Sequence, residues 1–238
     1  MNLWIIATVA AYFIKGLCGF ANTLVFTSVL SFRESNAAIS PVDLLLGYPM
    51  NLILAWKSRK SLEPKIYVPL AMLVLMGSIP GAFLLKNTDV GAIKLIFGLV
   101  VIAFGTGMLS KEDNQKGVLF SEMGLAMIGV LAGLVCGLFG VGALLAVYVG
   151  RVTENSDSFK ANISAVFIVE NTFRIILYGI LDLLTTETVN SALFLTPFAL
   201  LGLFMGVKCS DFLNDRLVRK FSSILLLLSG IALILKNL

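Results

Sequence analysis

The chain has 238 residues, of which 58% are hydrophobic and 13% charged, and its formal net charge is +4. This composition leaves no room for a soluble domain of ordinary size and predicts a protein that lies almost entirely in a membrane. The Lys and Arg residues fall in short clusters between apolar segments, as in loops beside anionic lipid, which argues against nucleic-acid binding. The sequence contains no histidine, which weighs against a metal-dependent membrane enzyme.

Eight apolar segments reach the length of about 20 residues that a helix needs to cross the hydrocarbon core. They cover residues 3–32, 37–56, 66–85, 90–110, 123–150, 161–181, 188–207 and 217–235. A polar linker at residues 111–116 separates a first repeat, residues 1–110, from a second repeat, residues 117–238. The predicted fold class is therefore an all-α integral membrane protein, with residues 1–238 forming a single membrane domain.

Similar glycine motifs occur in the first segment of each repeat. Residues 16–22 read GLCGFAN and residues 137–143 read GLFGVGA, 121 positions later. Further matches at a constant offset of 125 pair Gly77, Gly81, Lys94 and Gly105 with Gly202, Gly206, Arg219 and Gly230. Apolar segments interrupted by glycine at the same place in two halves of a membrane protein indicate a transporter's midplane site. The alternative is that these glycines only permit close helix packing.

Segments 1 and 5 are longer than one crossing requires. The 28 uncharged residues of segment 5 would form about 42 Å of continuous helix. Tilting could absorb part of this excess, but two half-helices that enter and leave on the same side are a more specific interpretation. If all eight segments cross, Lys and Arg divide seven to nine between the two sides, whereas a returning segment 5 divides them twelve to four. The second arrangement obeys the positive-inside rule.

The charge distribution therefore predicts six full crossings and two re-entrant hairpins, with the second repeat inverted relative to the first. Segment 1 follows only by analogy with segment 5. Half-helix N-termini aimed at one point would present N–H groups and positive dipole ends to an anion. The predicted substrate site at the two tips comprises Gly16, Gly19, Asn22, Gly137, Gly140 and Gly142.

Three intramembrane charges are further candidates. Lys15 lies in an apolar stretch beside the first motif, so it is predicted to bind substrate, with snorkelling to the headgroups as the alternative. Glu170 and Arg174 lie four residues apart on one face of segment 6, a spacing that favours an internal salt bridge. The functional alternative makes Arg174 an anion ligand and Glu170 a proton-coupling carboxylate.

The order of these elements resembles the sulfite exporter TauE/SafE family over essentially the whole chain. The resemblance rests on the two glycine cores, the polar linker, and the late Gly-xxx-Gly spacing followed by a basic and then wholly apolar last helix. It implies a multi-pass transporter of the bacterial cytoplasmic membrane that moves sulfite, sulfonates or other organosulfur anions. Residues 19–22 (GFAN) and 140–143 (GVGA) depart from the family's usual glycine triplet, and the proline that often follows is missing from both.

We therefore expect a permease in the lipid bilayer that binds a small anion by alternating access and needs no metal or other cofactor. The alternative is a non-transporting membrane subunit that packs against a partner, and a homo-oligomer is left open. An intramembrane enzyme is disfavoured because the chain has no histidine and few intramembrane carboxylates. ATP-driven transport by this chain alone is disfavoured because no phosphate-binding loop occurs.

Overall fold

The computed structural model describes residues 2–30, 33–87, 129–134, 142–153 and 155–235, together with the single positions 99, 102, 106, 127 and 136. Over these residues the chain is helical and contains no strand, as the composition predicts. The linker and nearly all of segment 4 lie outside the described residues.

Segments 2, 3, 6, 7 and 8 each coincide with one helix, whereas segments 1 and 5 do not. The helices are α1 (Asn2–Cys18), α2 (Asn22–Leu30), α3 (Asn36–Lys57), α4 (Pro64–Asn87), α5 (Ala143–Val152), α6 (Ser156–Ile180), α7 (Thr186–Asp211) and α8 (Asp215–Leu235). Among the described residues, three helical stretches are long and apolar enough to cross a membrane: Ala38–Lys57 within α3, α6 and α7.

Segment 1 is broken at its glycine motif. Helix α1 ends at Cys18, and α2 begins only after Gly19 (φ +87°) and Ala21 (φ 71°) have adopted left-handed backbone conformations that a helix cannot continue. Beyond α2, Glu34 accepts a hydrogen bond from Trp4 Nε1 at 3.4 Å. Because the chain has returned to the level at which α1 begins, α1 and α2 form a helical hairpin.

Segment 5 has helical arms on both sides of its motif. Residues 129–134 are helical, and α5 begins at Ala143. Residues 137–141, which hold most of the motif, lie outside the described residues.

Loops from both repeats meet at one end of the molecule. Lys57, at the end of α3, forms an ion pair with Asp211, at the end of α7, with 2.9 Å between Nζ and Oδ2. Ser158, in the first turn of α6, donates a hydrogen bond from Oγ to Glu63 Oε1 at 2.8 Å. The ends of α3 and α7 and the starts of α4 and α6 therefore share one end.

The same glycine-mediated helix crossing occurs twice. In α7, a methyl group added to Gly202 would lie 2.5 Å from the carbonyl oxygen of Val9 in α1, and one added to Gly77 in α4 would collide with the carbonyl oxygen of Val130. Gly77 and Gly202 are related by the offset of 125, and Val9 and Val130 by the offset of 121. Helix α1 and the helical residues 129–134 therefore each pack, backbone to backbone, on a helix of the other repeat. Such close approach is typical of helix packing in lipid.

Buried apolar side chains form two clusters. One joins α1, α3 and α7 and includes Ala11, Leu46 and Leu203. The other includes Phe20, in the turn of the first hairpin, and Leu145 in α5. Together the clusters pack the first hairpin against α3, α6 and α7.

Candidate functional site

The tip of the first hairpin, the middle of α3, α6 and the start of α5 enclose a narrow cavity. Its volume of about 30 Å³ holds about two water molecules, so the surrounding side chains nearly fill it. The polar and charged side chains that line it are Lys15, Asn22, Thr23, Asp43, Asn51, Asn171 and Arg174.

Lys15 is buried inside the protein. Its side chain is 1% exposed, and Nζ donates a hydrogen bond to Asn22 Oδ1 at 2.9 Å. Nζ also lies 5.3 Å from the centroid of the Phe167 ring, within the range of a cation–π interaction. The ammonium group is therefore directed to the cavity and not to the lipid headgroups.

Asp43 faces Lys15 across Asn22. Its Oδ1 accepts hydrogen bonds from Tyr12 Oη and Asn22 Nδ2, both at 3.1 Å, and its Oδ2 accepts one from Thr23 Oγ1 at 2.5 Å. An ionised carboxylate is an acceptor only, so three donors around it match its charged form. The single amide of Asn22 thus bridges a buried cation and a buried carboxylate.

Two helix N-termini reach the cavity. Helix α2 begins at Asn22 and α5 follows Gly142, and both residues line the cavity. The N-cap Gly142 provides no side-chain hydrogen bond to the first turn of α5. The first N–H groups of a helix lack intrahelical partners and carry the positive end of the helix dipole, so this arrangement favours negative charge.

Arg174 brings a second cation to the cavity wall. Its guanidinium donates hydrogen bonds to Tyr178 Oη at 2.7 Å and Ser40 Oγ at 3.0 Å. Its Nε lies 3.7 Å from Glu170 Oε1, so the two residues form the ion pair that their spacing predicts. That separation is too long for a hydrogen bond, and the pair is correspondingly loose.

Several buried polar atoms of α3 and α6 lack hydrogen-bond partners within the described part of the chain. They are Asn51 Oδ1, Arg174 Nε, Ser164 Oγ and both carboxylate oxygens of Glu170. An unsatisfied buried polar group costs about 1–3 kcal/mol. Of these residues, Asn51 and Arg174 line the cavity.

The predicted site glycines lie in different surroundings. Gly142 lines the cavity and lies against the ring of Phe167. Gly19 forms the turn of the first hairpin, with φ +87°. Gly16 packs on α7, where an added methyl group would lie 2.8 Å from the backbone nitrogen of Val207. The remaining two, Gly137 and Gly140, lie outside the described residues.

Sequence reasoning missed Asp43, Tyr12 and Thr23. Asp43 is the only charged residue of segment 2, so the criterion that selected Lys15, a charge within an apolar stretch, selects Asp43 as well. Tyr12 and Thr23 gave no comparable signal because both residue types are common in membrane helices. Only the fold brings them to the carboxylate.

The fold is that of a multi-pass membrane protein, and it contains a buried cavity lined by polar and charged side chains. The chain belongs to the sulfite exporter TauE/SafE family, whose family model matches residues 4–233. The family expected from the glycine motifs is therefore confirmed, and with it a membrane transport protein. No curated protein and no solved structure matched the chain.

Proposed function

We propose that the chain is a secondary transporter of the bacterial cytoplasmic membrane. It moves a small anion, sulfite, a sulfonate or another organosulfur compound, by alternating access at the cavity between its two repeats. One observation carries this proposal: Lys15, Arg174 and the N-termini of α2 and α5 converge on one buried cavity. Lysine and arginine side chains and helix N-termini are the groups that bind anions in an apolar interior.

The polar lining suits the oxygen atoms of a sulfite or sulfonate group. Lys15 and Arg174 provide charged donors, and the amides of Asn22, Asn51 and Asn171 provide neutral ones. Several oxygens on one sulfur can accept hydrogen bonds from several directions at once. Family membership supports sulfur chemistry in particular.

Two contacts support the inverted-repeat topology with six crossings and two re-entrant hairpins. If all eight segments crossed, Glu63 and Ser158 would lie on opposite sides of the membrane, yet they share a hydrogen bond of 2.8 Å. The packing of Gly202 on Val9 is repeated by Gly77 on Val130 at the repeat offsets. Both are expected of two similar halves that insert in opposite orientations.

The cavity is too small for such an anion in the described conformation. A cavity of about 30 Å³ is far smaller than the roughly 300 Å³ at the lower end of common ligand pockets. Binding therefore requires the first hairpin to move relative to α3, which separates Asn22 and Thr23 from Asp43. Alternating access would use the same movement.

Anion flux into proteoliposomes tests this function. The panel contains sulfite, thiosulfate, sulfoacetate, taurine and methanesulfonate, with chloride and acetate as non-sulfur controls. We expect uptake of at least one sulfur compound above empty liposomes, and a reduction of about tenfold or more in Lys15→Ala, which corresponds to the loss of about 1.4 kcal/mol of binding. Lys60→Ala is the matched control because Lys60 is exposed. Absence of flux for every compound in the panel would contradict the proposal.

A further inference from the structure

The geometry points to Asp43 as a proton-binding site that takes up one proton with each transported anion, an inference that rests on the proposed transport function. Asp43 lies in the wall of the cavity and is 5% exposed. This role is distinct from the proton coupling that the sequence analysis gives as the functional alternative for Glu170.

Asp43 occupies the donors that an anion in the cavity would use. Asn22 and Thr23 both belong to the first turn of α2, and their side chains donate to the carboxylate at 3.1 and 2.5 Å. Lys15 is linked to it through Asn22. The carboxylate of Asp43 therefore occupies the position that a substrate oxyanion would take, beside the N-terminus of α2 and Lys15. Substrate and ionised Asp43 compete for the same groups.

The charges in and beside the cavity wall are balanced before an anion arrives. Helix α1 contributes Lys15 and the phenol of Tyr12, and α6 contributes Arg174 with its partner Glu170. Helix α2 contributes neutral polar groups, and the face of α7 that packs in the same cluster as α3 is apolar, with Leu195, Ala199 and Leu203. Two cations and two carboxylates leave the site neutral, so an added anion would leave it negative in an apolar interior. A proton on Asp43 restores neutrality.

The exchange breaks no bond in the anion. A proton from the entry side adds to one carboxylate oxygen of Asp43, and the neutral acid can then donate its O–H where the carboxylate could only accept. Asn22, Thr23 and Lys15 become available to the anion's oxygens. When the anion leaves on the opposite side, Asp43 releases the proton there and regains these donors. One proton thus crosses with each anion in the same direction.

The substitution Asp43→Asn tests this stoichiometry, because asparagine is permanently neutral and takes up no proton. For every panel anion that the wild type transports, the variant should move one more negative charge per anion than the wild type. Methanesulfonate, with a fixed charge of −1, gives the simplest case. Wild-type uptake of methanesulfonate should not depend on an imposed K⁺ diffusion potential. A pH gradient of one unit should drive about tenfold accumulation of methanesulfonate. In Asp43→Asn the potential should drive accumulation and the pH gradient should not.

Two further variants separate this role from others. Glu170→Gln should keep the wild-type response to the pH gradient, and so should Glu187→Gln, which removes an exposed carboxylate at the start of α7. Loss of coupling in Glu170→Gln with coupling retained in Asp43→Asn overturns the inference. The inference is also overturned if wild-type uptake of methanesulfonate, or of any other panel anion of fixed charge, responds to the potential and does not respond to the pH gradient. This result does not depend on the folding of any variant, and it leaves the transport function intact. Absence of wild-type flux for the whole panel overturns the transport function itself.

Discussion

Lys15 and Asp43, on different helices, are joined by a single amide: Asn22 accepts from Lys15 Nζ at 2.9 Å and donates to Asp43 Oδ1 at 3.1 Å. The arrangement separates the buried ammonium group of Lys15 from the buried carboxylate of Asp43 by one side-chain amide. Each charge is tolerable in the membrane interior because the other is near. The bridge also places both charged groups in the wall of the cavity, where a ligand would bind.

This relationship predicts energetic coupling between Lys15 and Asp43. Lys15→Met and Asp43→Asn should each lower the free energy of unfolding by about 1–3 kcal/mol, because each leaves the other group without its compensating charge. The double variant should lose less than the sum, with a coupling energy of about 0.5–3 kcal/mol. Thermal unfolding of the purified protein in detergent measures all three.

The control cycle combines Lys60→Met with Glu187→Gln, substitutions of two exposed residues, one in the loop before α4 and one at the start of α7. Their effects should be small and additive. Additive losses for the Lys15 and Asp43 pair would show that the bridge through Asn22 carries no coupling.

The two glycine crossings predict matched losses of stability. Gly202→Ala and Gly77→Ala each force a methyl group against a backbone carbonyl, and such overpacking costs about 1–3 kcal/mol. Gly179→Ala is the control, because an added methyl group there meets no atom within 4 Å. It should raise stability by about 0.5–1 kcal/mol through lower backbone entropy in the unfolded chain. Similar effects at all three positions in thermal unfolding would count against close packing at the crossings.

The tip of the first hairpin predicts unequal effects at two neighbouring left-handed residues. Gly19→Ala should cost at least about 1–2 kcal/mol because φ is +87° and alanine resists this conformation. The added methyl group would also lie 2.9 Å from Lys160 Cγ. Ala21→Gly should change stability by less than about 1 kcal/mol, since relief of strain offsets the added backbone entropy. A larger loss in Ala21→Gly than in Gly19→Ala, measured by thermal unfolding, would contradict the assigned backbone conformations.

Much of the candidate site could be predicted because membrane sequences make exceptional residues conspicuous. Lys15 and Arg174 stand out as charges in apolar segments, and Asn22 and Gly142 belong to the repeated motif that interrupts two overlong segments. All four line one cavity. The break in segment 1 was predictable for the same reason, since its length exceeds a single crossing.

The rest depended on packing partners that are distant in sequence. Gly16 lies within the motif but packs on Val207, and no local pattern distinguishes a glycine at a helix crossing from one at a ligand. The left-handed conformation of Ala21 carries no signal, because alanine rarely adopts it. The donors to Asp43 come from α1 and α2 and meet it only after the hairpin has folded against α3.

The shared end of the two repeats predicts a pattern of chemical labelling. In a background without the three native cysteines, single cysteines replace Lys60, Asn155 and Glu187, which are all exposed. Because the loops before α4 and α6 meet through Glu63 and Ser158, cysteines at 60 and 155 should react from the same side of the membrane. The cysteine at 187 lies at the start of α7, which spans the molecule to the Lys57–Asp211 pair, so it should react from the other side. An impermeant thiol reagent applied to intact cells should therefore label position 187 alone, since the positive-inside rule assigns the lysine-rich end to the cytoplasm. Labelling of position 155 but not 60 would mean that segment 5 crosses fully.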